Sequence, residues 1–182
     1  MISRDNAVPV SYSTGLNKLE KMIEQRPPAV KKKGSIKPLD IRRYYLNHLQ
    51  PFKKGIKGLK VVIDCSDGSA GAYIHDLIND LDGEFITIFD KPDGNFPNHG
   101  PDPLSEKNRS ALKSLVLKEK ANLGVIFDGD GDRAIIIDEK GKFVSPDMVT
   151  ALLGIHFFKH FPEKTGAPAG RNNRAVSFSR CF

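Results

Sequence analysis

Three short runs rich in β-branched and aromatic residues, 59–64, 84–89 and 122–127, alternate with stretches of helical periodicity inside about 70 residues. Few arrangements accommodate such an alternation. Each run is too short for a buried helix and nearly continuous in apolar character, as a strand covered on both faces of a parallel sheet must be. Between the first two runs, Ile74, Leu77, Ile78 and Leu81 fall at i, i+3, i+4 and i+7, the stripe of an amphipathic helix over 72–81. Between the second and third, residues 104–120 place Leu112, Leu115 and Val116 on one helical face. A fourth run, 133–138, is joined to Phe143-Val144 by Glu139-Lys140-Gly141-Lys142, which reads as a hairpin turn. A closing helix over 148–158 has Ser145 as its N-cap and Pro146 at its first position. The predicted class is α/β, a mostly parallel sheet with helices on both faces. Ligands are then expected at the loops beyond the strands' carboxyl ends.

Upstream, Leu16, Leu19 and Ile23 predict a short helix ended by Pro27-Pro28, and Lys31-Lys32-Lys33 a solvated turn. A second helix is expected over 38–50, stopped by Pro51. The expected organisation is a helical N-terminal segment and linker over 1–56, the α/β unit over 57–162, and an irregular tail over 163–182 that contains Cys181. The net charge of +6 is unevenly spread: residues 1–60 carry 14 basic against 4 acidic side chains, whereas 61–162 carry 10 against 17. The basic residues lie outside the well-patterned region and are not interleaved with aromatics, so no nucleic-acid partner is expected. No apolar run approaches the ~20 residues of a membrane span, and no signal-peptide pattern opens the chain, so no membrane partner is expected either. Two cysteines cannot build a disulfide framework, which points to a reduced, cytoplasmic setting.

The acidic centre holds the strongest chemical signal, Asp128-Gly129-Asp130-Gly131-Asp132-Arg133, directly after the third apolar run. Three carboxylates at i, i+2 and i+4 repel one another at close range, and the glycines between them let the loop curl their oxygens around one point. A hard divalent cation resolves the repulsion, and Mg²⁺ takes oxygen ligands while keeping positions open. Asp128, Asp130 and Asp132 are therefore the candidate metal ligands. Arg133 is the candidate for a forked contact with a phosphate oxygen. The competing reading is a surface turn, for which Asp-Gly is common currency, though the flanking apolar strands disfavour it. A calcium-binding helix–loop–helix would use Asp128, Asp130, Asp132 and Glu139 at positions 1, 3, 5 and 12. Arg133 stands where that loop needs glycine, and the flanks are strand-like. A haloacid-dehalogenase-type phosphatase would need Thr or Val where Asp132 stands.

Other candidates have plainer readings. His99 in the Pro-rich loop is read as fixing loop geometry, and Asp93 and Asp102 as turn formers. His75, His156 and His160 are read as surface or core polar residues. Cys65 is read as a small buried side chain rather than a nucleophile. Ser66 and Ser69 lie in a small-residue turn without the spacing of a phosphate-binding Gly-x4-Gly-Lys-Ser/Thr loop.

These motifs in this order resemble the α-D-phosphohexomutases, the phosphoglucomutases and phosphomannomutases. Their metal loop has the pattern D-G-D-x-D-R after a strand, as Asp128 to Arg133 has here. Leu59-Lys60-Val61-Val62-Ile63-Asp64 with its turn over 68–71 resembles the opening strand of their second domain. Pro92-Asp93-Gly94-Asn95-Phe96-Pro97-Asn98-His99 resembles their P-D-G-x-F-P-N-H segment, with Asp102-Pro103 where Asn-Pro is commoner. The resemblance covers about residues 2–160. It implies a parent enzyme of four domains that moves a phosphoryl group between the 1- and 6-positions of a hexose through a phosphoserine and a bisphosphorylated intermediate. It further implies Mg²⁺ on Asp128, Asp130 and Asp132, with Arg133 as the catalytic residue orienting the phosphoryl group. No Thr-Ala-Ser-His-Asn-Pro type loop and no Gly-Glu-x-Ser-Gly type sugar loop occur in the 182 residues. The chain is therefore expected to match the end of the first domain plus the second, as an inactive fragment. Its partners would be the missing domains and a phosphohexose held by the whole enzyme.

Overall fold

The computed structural model describes residues 2–25, 35–53 and 55–160. The Pro27-Pro28 stop, the basic turn at 31–33 and the tail after 162 with Cys181 lie outside the described residues. Residues 1–40 make one compact unit and 41–182 another. In the first, an isolated antiparallel bridge joins Ser3 to Pro9. A wide turn over Tyr12–Leu16 follows, capped by the Ser11 hydroxyl oxygen, which accepts from the Thr14 N–H. Helix α1 (Asn17–Glu24) continues from it.

In the second unit the apolar runs become strands and the polar breaks become turns. Helix α2 (Arg42–Leu49) passes into a 3-10 turn over Gln50–Phe52, so Pro51 sits inside a continuing turn, where its missing N–H leaves no bond unmade. Contacts attach α2 to Tyr73: the Tyr45 and Tyr73 rings meet edge to face at 5.9 Å, and the Arg42 guanidinium lies 5.0 Å from the Tyr73 ring centre. Strand β1 (Lys60–Asp64) leads through a small-residue turn to helix α3 (Ile74–Ile78), shorter than its periodicity predicts. Its first turn is drawn into a 3-10 turn over Ser69–Ala72, because Gly71 packs against the Asp90 backbone: a Cβ there would stand 2.3 Å from the Asp90 carbonyl oxygen. Strand β2 (Glu84–Ile88) and the Pro-rich loop precede helix α4 (Ser110–Glu119). This helix also starts late, since Asp102 accepts the Leu104 N–H and its carbonyl accepts from Asn108 Nδ2, holding the entry as a turn. Lys120 ends α4 in the left-handed conformation. Strands β3 (Leu123–Phe127), β4 (Ala134–Asp138) and β5 (Phe143–Val144) follow, then helix α5 (Pro146–His160), whose first turn is capped by Ser145 as expected.

The sheet runs in the order β2-β1-β3-β4-β5, with β2, β1 and β3 parallel and β4 and β5 antiparallel at one edge. Strand alternation divides the core in two. Val62, Ile126, Ile135 and Ile137 face Leu112 and Val116 of α4 on one side. Val61, Ile63 and Cys65 face Ile74 of α3 on the other. Helices thus cover both faces, as the α/β reading requires. The parallel strands end at Asp64, Ile88 and Phe127, which brings three loops to one edge: 65–71, 89–103 and 128–133.

α4 approaches the sheet closely at Gly124, where a Cβ would stand 2.7 Å from Val116 Cγ2 and 2.9 Å from Leu112 Cδ1. Gly124→Ala overpacks this layer and is expected to cost roughly 1–3 kcal/mol. A urea titration should read this as a lower midpoint with an unchanged slope.

Candidate metal centre

Asp128 is the first residue after β3, and its position is decided by burial. The residue is 2% exposed, while Asp130 and Asp132 are exposed. One carboxylate oxygen from each of the three lies within 4.8 Å of the others. The residues that the sequence singles out are therefore brought to a common focus. Gly131 makes this possible: its φ of +78° belongs to the left-handed region that glycine enters without penalty.

Arg133 closes the loop onto its own start. Its backbone N–H donates to Asp128 Oδ1 at 3.1 Å, and its Nε–H donates to Asp128 Oδ2 at 2.7 Å. The Asp128 N–H in turn donates to the Arg133 carbonyl. Burial alone would push the Asp128 carboxyl up, but the hydrogen bonds from Arg133 outweigh it and hold the group below the usual carboxylate range. The opposite holds for Asp132, whose carboxyl is raised by its contact with Asp128 and by the nearby Asp130 charge. With Nε committed to Asp128, the Arg133 side chain is still half exposed, and its Nη1 stands 3.8 Å from an Asp102 carboxylate oxygen. Hard carboxylate donors on a glycine-hinged loop fit a divalent cation with oxygen preference.

The other two loops hold this one in place, which the sequence did not reveal. Ser66 donates its hydroxyl proton to the Phe127 carbonyl at 2.5 Å, and the Ser69 N–H donates to the Gly129 carbonyl at 3.0 Å. Gly68 is pressed so closely on the aspartate loop that a Cβ would stand 2.6 Å from the Gly129 oxygen. From the Pro-rich loop, Pro101 and Phe96 lie against Gly129. His99 is buried and bonded to Asp64, in keeping with its reading as a fixer of loop geometry. Asp93 forms a turn with Asn95, and Asp102 does so with Leu104 while also facing Arg133. His75 pairs with Asp90 at 2.8 Å, remote in role from the aspartate cluster. His156 and His160, one turn apart on α5, stack at 4.3 Å, a spacing the sequence reading passed over. Glu139 lies beyond the far end of β4, a strand of five residues and so ~16 Å, and cannot join Asp128 as a calcium loop would need.

Cys65 is fully buried, and burial pushes its thiol up to about 12. A group whose pKa rises on folding favours the folded state below its unfolded value and loses that advantage as pH climbs through the folded one. In a Cys181→Ser background, Cys65 should therefore resist iodoacetamide at about pH 8 until urea unfolds the chain. The stability gap to the further Cys65→Ala variant should shrink as the pH is raised above about 9.

Residues 43–141 match the sequence model of a family described as phosphoglucomutase/phosphomannomutase, alpha/beta/alpha domain II. A phosphomannomutase of Escherichia coli is 33% identical over 169 residues, which cover 87% of this chain and 37% of that protein. A phosphomannomutase/phosphoglucomutase of Pseudomonas aeruginosa is 39% identical over 119 residues, 65% of this chain and 26% of that one. Among solved structures, a phosphoglucomutase/phosphomannomutase family protein from Burkholderia thailandensis superposes with a TM-score of 0.69 at 29% identity, over 78% of this chain and 30% of the other. A Thermus thermophilus structure gives 0.64 at 22% identity, a likeness of fold. The chain spans little more than a third of the length of such curated relatives.

Proposed function

Because the chain belongs to the phosphoglucomutase/phosphomannomutase family through its alpha/beta/alpha domain II, we propose that Asp128, Asp130 and Asp132 hold a Mg²⁺ ion for phosphoryl transfer on a hexose phosphate. The convergence of three carboxylate oxygens within 4.8 Å carries this reading. When bound, the ion supplies charge stabilisation to a phosphoryl group in transit, the larger part of what such a reaction asks of a protein. The residues of this chain do the rest. Asp128 is ionised and immobile, its two oxygens fixed by Arg133. Asp130 and Asp132, exposed on the outer turn, would supply the other two carboxylate ligands. Arg133, half exposed with Nη1 3.8 Å from Asp102, is the residue that would fork onto a phosphate oxygen and orient it.

The reaction itself, between the 1- and 6-phosphates of a hexose through a phosphoserine and a bisphosphorylated sugar, requires a nucleophile that these 182 residues lack in Ser-His-Asn-Pro form. Its supply falls to further domains of the same enzyme, which are the expected partners along with the phosphohexose. A reduced cytoplasmic setting suits the buried free thiol of Cys65.

Two measurements test the proposal. Calorimetric titration of Mg²⁺ into the chain should give weak, one-site binding that Asp130→Asn abolishes while the far-UV spectrum is unchanged; equal binding by the variant would refute the assignment. A coupled assay with glucose 1-phosphate should give no turnover by the isolated chain, and turnover above background would overturn the view that it needs other domains.

A further inference from the structure

A deeply buried polar contact among the described residues lies outside the aspartate loop. Asp64, at the last position of β1, is fully buried, and the His99 side chain is 8% exposed. His99 Nδ1 stands 2.8 Å from the Gly100 carbonyl, which can only accept, so Nδ1 carries a proton. His99 Nε2 stands 3.2 and 3.1 Å from the two Asp64 oxygens, and the Ser66 N–H donates to one of them at 2.8 Å. One further proton must lie between the ring and the carboxyl, whichever group holds it formally, and the pair is neutral as a whole.

This contact joins segments that would not otherwise stay where they are. Ser66, Asp67, Phe89 and Phe96 all have φ near +50°, a conformation that side chains with a Cβ seldom adopt. All four belong to the two loops that the pair ties together, and the His99 ring also meets Phe89 edge to face at 5.2 Å. Asn98, next to His99, donates from Nδ2 to Asp67. Six residues, 96–101, are thereby pinned to the end of β1 at 98 and 99. Their two ends, Phe96 and Pro101, rest against Gly129, between Asp128 and Asp130, which Gly68 and Ser69 also contact.

Resting on the metal reading above, we infer that the His99–Asp64 pair is a positioning element of the metal loop: it holds Phe96 and Pro101 against Gly129 so that the three aspartates converge before the ion arrives. The pair touches neither ion nor substrate. It acts through the backbone of the loop, and by reciprocity an ion on the loop biases the pair in return.

The test uses the full chain with Mn²⁺ as probe, counted by its electron paramagnetic resonance signal. His99→Ala should weaken Mn²⁺ binding about tenfold at a temperature where circular dichroism reads the variant as folded. Asp64→Asn, whose amide can donate to a neutral His99 Nε2 and accept from Ser66, should stay within about twofold of the parent. A folded His99→Ala with unchanged affinity overturns the inference, as does an Asp64→Asn that loses affinity as His99→Ala does. If His99→Ala does not fold, the parent decides: the His99 ring ¹⁵N resonances should move as Mg²⁺ is added and saturate with the ion, and resonances that stay fixed overturn it. A parent chain that binds no Mn²⁺ refutes the metal reading itself, an outcome distinct from binding that ignores His99.

Discussion

Burying one carboxylate at the end of an apolar strand is the act on which the rest of this structure depends. Asp128 sits at 2% exposure where the sheet stops, in a place that by itself would favour its neutral form. Arg133 reverses that preference with two hydrogen bonds and a charge, five residues later in the same turn. The loop is therefore compelled to fold back on itself between β3 and β4. That reversal makes the β3–β4 pair antiparallel and gives an otherwise parallel sheet its mixed edge.

The parallel half of the sheet supplies the surroundings. In a sheet of order β2-β1-β3, consecutive parallel strands deliver their loops to the same edge, so the 65–71 and 89–103 segments flank the aspartates without any local signal telling them to. Close approach is allowed by small residues, Gly68 above all, and then maintained by polar contacts to backbone carbonyls on either side of Asp128. Four left-handed non-glycine residues in these loops cost on the order of 1–3 kcal/mol each. Strain of that size persists only where neighbouring contacts over-determine it.

The strands, the aspartate triad and the burial of Cys65 were legible in the sequence because each is a local property: period, spacing, or apolar context. Helix lengths were less so. Periodicity over 72–81 describes a face, but Gly71 against the Asp90 backbone decides where the helix can begin, and that contact joins residues 19 apart in sequence. The same limit applied to the site. Asp128, Asp130, Asp132 and Arg133 are adjacent in the chain and could be read together. Ser66 and Phe127 are 61 residues apart, and His99 and Asp64 are 35 apart, so no spacing rule links them. A signal existed for His99 only in its setting, an ionisable ring among prolines and glycines following a buried strand.

The cluster is asymmetric in a way that bears on how it works alone. One ligand, Asp128, is fixed and ionised before any cation arrives, whereas Asp130 and Asp132 are exposed, and the Asp132 carboxyl is raised by its neighbours' charge. An ion bound as proposed would have to draw two exposed, mutually repelling carboxylates toward a buried one, and the entropy of ordering them would oppose binding. Affinity rises when something else supplies a further oxygen or lowers that ordering cost. A phosphoryl oxygen carried by a neighbouring domain would do the first, and the walls formed by Phe96, Pro101 and Gly68 do the second. On the proposed reading, a site so built would bind its ion tightly only in the presence of its anionic donor, which would couple metal loading to the moment when charge needs stabilising.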